Sequence, residues 1–145
     1  MTVSDILRYK GDVVVTIEAN ARTQDAADLL RRKNIGAVLV KDGDGKTVGL
    51  LTERDIVHQL AEMGDRLAAS PVTAAMSKEW RTCRADASVR SVMETMTRYR
   101  VRHLPVVDEF DRTIGIISIG DVIKQRLRDL ETETNVLRDI IVAGQ

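Results

Sequence analysis

The sequence predicts an α/β (α+β) fold of two strand-helix-strand-strand-helix repeats packed with pseudo-two-fold symmetry. Three observations predict it. Gly49-Leu50-Leu51-Thr52-Glu53-Arg54-Asp55 returns as Gly115-Ile116-Ile117-Ser118-Ile119-Gly120-Asp121, a shift of 66 residues that keeps the glycine, two aliphatics, the hydroxyl and the aspartate in place. The same shift, without a gap, aligns Thr16 with Thr82, Ala19 with Ala85, Val40 with Val106, Asp42 with Asp108 and Thr47 with Thr113. Self-similarity at a fixed period marks a duplicated unit. Within each unit the hydrophobic period switches between that of a strand and that of a helix. A unit of about 60 residues buries little core alone, so the copies are expected to pack sheet against sheet with helices outside. Two clefts near the axis would result, each edged by the start of a helix.

In the first repeat, Val13-Val14-Val15-Thr16-Ile17 is β-branched and reads as a strand. A helix follows from about Thr23, where Ala26, Leu29 and Leu30 recur at helical spacing and Asp25, Asp28, Arg31 and Arg32 fill the other face. Ile35 to Val40 is an apolar arm, Asp42-Gly43-Asp44-Gly45 a hairpin turn, and Val48 to Leu51 the returning arm. A second helix runs from Thr52 through Ile56, Val57 and Leu60 to a stop at Gly64. Gly64 to Pro71 is the connector.

The second repeat opens with Trp80-Arg81-Thr82-Cys83 as its strand. Val89, Val92, Met93 and Met96 mark its helix, with the methionines on the core stripe. Val101–Val107 and Ile114–Ile117 are its hairpin arms, and the last helix begins near Ile119. Along that helix Ile123, Leu127, Leu130, Leu137 and Ile141 form a stripe that serves either a subunit contact or packing against its own domain. The expected division is 1–70 for the first repeat, 71–131 for the second and 132–145 for a C-terminal helical extension, together one compact module.

Composition narrows the function. With 145 residues, 43% hydrophobic and 30% charged, the chain can bury a core. Its 22 basic and 22 acidic residues cancel, so it lacks the positive field on which non-specific nucleic-acid binding rests. The single cysteine, Cys83, makes no intrachain disulfide and fits a reducing compartment. No stretch approaches the roughly 18 apolar residues of a membrane span. The expected location is the cytoplasm.

The chemistry lies at Thr52-Glu53-Arg54-Asp55 and Ser118-Ile119-Gly120-Asp121. Hydroxyl, two residues and an acid before an apolar run is the sequence form of a helix capping box. The same groups suit a nucleotide: helix N–H groups favour an anion, and an acceptor-only carboxylate matches a vicinal diol. Both readings stand, and they are compatible. Cys83 aligns with Ile17 and reads as a small core residue. His58 reads as solvated, with no further ligands for a metal. His103 divides evenly between structure and site, and Trp80 reads as core or interface packing.

These motifs, with Arg102-His103-Leu104-Pro105-Val106-Val107-Asp108 and the element order, resemble the CBS domain, named for cystathionine beta-synthase and found in tandem pairs that bind adenosine nucleotides. The resemblance covers roughly residues 3 to 130. Ser4-Asp5-Ile6-Leu7, Thr52 to Val57 and Leu137-Arg138-Asp139-Ile140-Ile141 look like the stand-alone bacterial pairs, some labelled after inosine monophosphate dehydrogenase, which carries the same module. The resemblance implies that Asp55 and Asp121 hold ribose hydroxyls and that Thr52 and Ser118 touch ribose or phosphate. Thr16, Ile17 and Ala37, and in the other repeat Thr82, Cys83 and His103, would hold the adenine. Arg54, Arg102 and His103 would reach phosphates.

On that resemblance the chain is an adenosine-nucleotide sensor, for AMP first, then NAD(H), ADP or ATP. It would signal through repeat packing or dimer rearrangement to a separate effector protein, as a homodimer without catalytic cofactor or metal. The alternative is a structural dimerisation module with vestigial sites. A dehydrogenase barrel of the inosine monophosphate type needs about 250 residues, so no enzyme is expected.

Overall fold

The computed structural model describes residues 1–11 and 13–144. The chain resolves into two units, one spanning Val13–Arg81, the other running from Thr82 onward and including the segment up to Gly11. The elements are α1 (Val3–Lys10), β1 (Thr16–Glu18), α2 (Thr23–Lys33), β2 (Ala37–Lys41), β3 (Thr47–Thr52), α3 (Glu53–Met63), β4 (Cys83–Arg84), α4 (Val89–Tyr99), β5 (His103–Val107), β6 (Thr113–Ser118) and α5 (Ile119–Ala143). Short 3₁₀ turns lie at Gly64–Arg66, in the connector, and at Val72–Ala74, just past it.

Each unit holds a three-stranded sheet, ordered β1-β2-β3 and β4-β5-β6. The first strand runs parallel to the second, and the second and third form an antiparallel hairpin. The hairpin turns are built alike. Asp42 Oδ1 accepts the N–H groups of Asp44 and Lys46, and Asp108 Oδ1 accepts those of Phe110 and Arg112. Both ladders slip at the same place, between Val40 and Lys41 and between Val106 and Val107. Asn34 and Arg100 end α2 and α4 in the left-handed region, at φ 52° and 53°, so the shift of 66 extends to the helix ends.

The cores repeat as well. Ala26, Leu30, Val38, Val40 and Leu51 fill the first, and Val92, Met96, Leu104, Val106 and Ile117 fill the second. Each core is completed from outside its repeat. Val72 and Ala75, just past the connector, enter the first core, while Val3 and Ile6 of α1 enter the second. The docking bonds match: Val72 N–H donates to Ala21 C=O at 2.8 Å, and Val3 N–H donates to Ala87 C=O at 2.9 Å. In space, then, residues up to Gly11 belong with the second repeat and residues 71–81 with the first, which differs from the division expected from sequence order.

These docked segments also explain the motif glycines. A Cβ on Gly49 would strike Met76, and one on Gly115 would stand 2.8 Å from Leu7 Cδ2. The motif glycine gives the edge strand a bare site on which the docking segment lies.

Three local expectations need correction, and one left open is decided. β1 covers Thr16–Glu18 only, and Val13, 80% exposed, stands outside it. The opening strand of the second repeat is Cys83–Arg84 rather than Trp80–Cys83, because the parallel pairing with β5 begins only at Cys83 opposite Val106. Met93 lies off the core stripe and is 40% exposed, unlike Met96. On α5 the inward face is Val122, Gln125 and Asp129, whereas Ile123, Leu127, Leu130, Leu137 and Ile141 are all exposed. The apolar stripe therefore does not pack on its own domain. α5 continues unbroken to Ala143, so the expected extension from 132 is the end of this helix, and Gln145 lies outside the described residues.

Candidate ligand sites at the helix starts

In the first repeat the hairpin register sets Ala37, first in β2, opposite Thr52, last in β3. Glu53 N–H donates to Gly36 C=O at 3.0 Å, pinning the start of α3 to the entry of β2. Thr52 caps the helix: its Oγ1 accepts Asp55 N–H at 3.2 Å, and Asp55 Oδ2 accepts Thr52 N–H at 2.9 Å. The other carboxylate oxygen, Oδ1, accepts the Ser77 hydroxyl at 3.2 Å. Ser77 is itself fixed by a reciprocal backbone pair with Leu50, at 2.9 and 3.0 Å. Thr16 lies across β2, in register with Leu39.

The second repeat has the same frame. His103 pairs with Ser118, and Ile119 N–H donates to Arg102 C=O at 2.9 Å. Ser118 Oγ accepts Asp121 N–H at 3.2 Å, and Asp121 Oδ2 accepts Ser118 N–H at 2.8 Å. In place of a serine, Asp121 meets Lys10 at the end of α1. The ammonium donates to Asp121 Oδ2 at 2.7 Å and to Ile116 C=O at 2.5 Å. Burial works to raise the Asp121 pKa, but the Lys10 ammonium and the Ser118 N–H outweigh it and hold the carboxyl below its usual value.

Each repeat therefore gathers three expected residues at one end of its sheet: Ala37, Thr52 and Asp55, and His103, Ser118 and Asp121. Thr16 in β1 and Thr82, just before β4, are exposed, and Arg54 and Arg102 are exposed beside the helix starts. Ile17 and Cys83 are half-buried and pack on the cores of their repeats, so their side chains are engaged inward. Burial pushes the Cys83 thiol up to about 11, the reverse of an activated nucleophile. His58 is exposed, and the described residues hold no cluster of three or more His, Cys, Asp or Glu side chains able to hold a metal.

Sequence reasoning missed Lys10 and Ser77, because neither lies in a strand, helix or turn that the sequence assigned: Lys10 is in the opening segment, and Ser77 falls between the connector that ends at Pro71 and the strand expected from Trp80. One signal for the first was present. Thr2-Val3-Ser4-Asp5 repeats the hydroxyl-x-x-acid pattern, and Asp5 Oδ2 accepts Thr2 N–H at 2.9 Å where α1 begins.

The CBS domain family model matches residues 3–62 and 72–128. The chain is 33% identical to the CBS domain-containing protein YhcV of Bacillus subtilis, over 75% of this chain and 76% of that one. It is 29% identical to inosine-5'-monophosphate dehydrogenase of Methanocaldococcus jannaschii over 78% of this chain but only 22% of that enzyme. Among solved structures, the CBS-domain containing protein ATU1752 of Agrobacterium tumefaciens is similar at a TM-score of 0.83 and 42% identity, covering 86% of this chain and 92% of that one. The CBS domain pair of protein MJ0100, solved in complex with 5'-methylthioadenosine and S-adenosyl-L-methionine, is similar at a TM-score of 0.74 and 29% identity, over 86% of this chain and 98% of that one.

Proposed function

Because the chain belongs to the CBS domain family, we propose that it is a regulatory module that binds an adenosine nucleotide and reports its level to a separate partner chain. The observation that carries this is the doubled frame in which a hydroxyl-capped aspartate lies beside the first residue of a hairpin strand: Thr52 and Asp55 beside Ala37, Ser118 and Asp121 beside His103. The adenosine ligands of the MJ0100 pair support the ligand class. Asp55 and Asp121 take ribose hydroxyls, Thr52 and Ser118 the ribose or phosphate, and Thr16, Ile17, Ala37, Thr82, Cys83 and His103 the base, by backbone hydrogen bonds and aliphatic contact. Arg54 and Arg102 serve the phosphates. AMP is the first candidate, followed by NAD(H), ADP and ATP.

The module works in the cytoplasm as a homodimer and carries no catalysis of its own; the dehydrogenase relative aligns over only 22% of its length. A ligand shifts an equilibrium only by its unequal affinity for two states, so the nucleotide must favour one mode of association with the partner. A second reading, a dimerisation module whose ligand sites are vestigial, draws on the engagement of both aspartates in their own caps.

A thermal-shift panel with AMP, ADP, ATP, NAD, NADH and S-adenosylmethionine separates the two. A ligand at 100 times its Kd adds about 2.7 kcal/mol, a shift of several degrees for a chain of this size. Asp55→Ala and Asp121→Ala reduce the shift if their sites are used. No shift with any of the six, in protein freed of co-purified nucleotide, leaves the dimerisation module.

A further inference from the structure

Beside the Lys10–Asp121 pair lies a cavity of about 170 Å³, lined by Ile6, Tyr9, Lys10, Asp121, Lys124 and Arg128. It opens to solvent and has room for several waters or for a phosphoryl group. The charges lining it do not cancel: three cations face one carboxylate, which leaves two positive charges. Arg128 is engaged by neutral groups. Its Nη1 donates to Gln125 Oε1 at 3.2 Å, and its guanidinium lies 4.0 Å from the centroid of the Tyr9 ring. Lys124 has no partner among the described residues.

The donors point the same way. An ammonium carries three N–H donors. Lys10 gives two, to Asp121 Oδ2 and to Ile116 C=O, and one remains. Asp121 in turn keeps Oδ1, which accepts no hydrogen bond among the described residues, for a ligand hydroxyl. The site thus joins an acceptor for a sugar to a set of donors for an anion. The first repeat differs, since its aspartate meets the neutral Ser77 hydroxyl.

We propose that Lys10 is a specificity-determining residue of the second repeat: with Lys124 and Arg128 it recognises the phosphate of a nucleotide whose sugar Asp121 holds. This site therefore prefers a nucleoside monophosphate to the nucleoside. The inference rests on the nucleotide reading above and adds the residue that discriminates within it. A helix from the beginning of the chain becomes part of a ligand site near its end.

Calorimetric titration of the full chain with AMP, adenosine and inorganic phosphate tests this. Asp55→Asn, carried by every protein compared, confines binding to the second repeat. AMP is expected to bind more tightly than adenosine. Lys10→Met should weaken AMP by roughly tenfold and leave adenosine within about a factor of two, as loss of a charge-assisted hydrogen bond requires. Lys124→Gln, which leaves the Lys10–Asp121 pair intact, should shift AMP in the same direction and guards against a Lys10→Met protein that misfolds. Equal changes for AMP and adenosine overturn the proposal, as does tighter binding of both once Lys10 is gone. Inorganic phosphate competing as well as AMP would mark a free-anion pocket and also overturn it. Failure of chains with native Asp55 to bind AMP or adenosine would instead remove the nucleotide reading itself.

Discussion

Lys10 Nζ stands 2.7 Å from Asp121 Oδ2, and this contact ties the C-terminal end of α1 to the first turn of α5, 111 positions away in sequence. Burial opposes the charge on Asp121, but the Lys10 ammonium and the Ser118 N–H hold its pKa below the usual value. A depressed folded-state pKa stabilises above the unfolded value, about 3.9, and that stability is lost as pH falls through the folded value. With side chains 33% and 18% exposed, the pair is worth about 1 kcal/mol. Thermal melts should place Lys10→Met below wild type at neutral pH, with the gap closing as pH drops below the unfolded value. A gap that persists in strong acid would assign the loss to the packing of the lysine stem.

The two caps should each carry measurable stability. Thr52→Ala and Ser118→Ala remove the acceptor for the N–H groups of Asp55 and Asp121, at about 1 kcal/mol each. Urea unfolding should show a lower midpoint with an unchanged slope. Thr52→Ser should restore it.

Gly49 has a packing reason that can be tested in isolation. Its added Cβ in Gly49→Ala meets the Met76 side chain, so that side chain must move out of its place, at about 1–3 kcal/mol. Met76→Ala in the same chain removes the two closest atoms, Sδ and Cγ, and leaves only the Met76 Cβ position at 3.2 Å. The double variant should therefore lose less than the sum of the two single losses.

Cys83 should behave as a core thiol. Its pKa is pushed up to about 11 by burial, so at pH 8 little thiolate exists and iodoacetamide should label the native chain far more slowly than the urea-unfolded chain. The sign for stability follows. A raised folded-state pKa costs nothing below the unfolded value and destabilises as pH rises above it. Equal labelling rates in the two states would contradict the burial of the sulfur.

The stripe on α5 should govern self-association. Leu127 and Leu130 are 55% and 43% exposed, and Leu137 and Ile141 continue the line at 60% and 64%. Leu127→Glu should convert the proposed homodimer to a monomer in light scattering without lowering helix content. A mass unchanged by the substitution would move the interface elsewhere.

The sequence made legible what depends on local rules and on the repeat. Thr52 and Ser118 cap their helices as the spacing to Asp55 and Asp121 requires, and Leu30 and Met96 occupy equivalent core places. What escaped it depends on contacts distant in sequence. Ser77 and Lys10 reach the aspartates only because their segments dock on edge strands, and no period in the chain announces that. Met93 misled because its neighbour Val92 and the following Met96 share a stripe with it on any helical wheel, and only the sheet beneath decides which edge of the stripe is covered. Cys83 packs half-buried against the core, as its alignment with Ile17 suggests, whereas the strand around it starts where β5 offers a partner.

The docking of Val3 and Ile6 into the second core sets an order on synthesis. Val3 and Ile6 leave the ribosome about a hundred positions before Val106, Ile117 and Val122, the side chains they pack against. The first repeat holds its whole core between Val13 and Arg81 and can close while the rest is still being made. The opening helix must meanwhile remain unattached and then return across a long loop, the kind of non-local closure that slows folding. A fragment cut at the start of the second repeat would lack two core side chains, and a synthetic peptide of the first eleven residues, added separately, is the piece that should restore it.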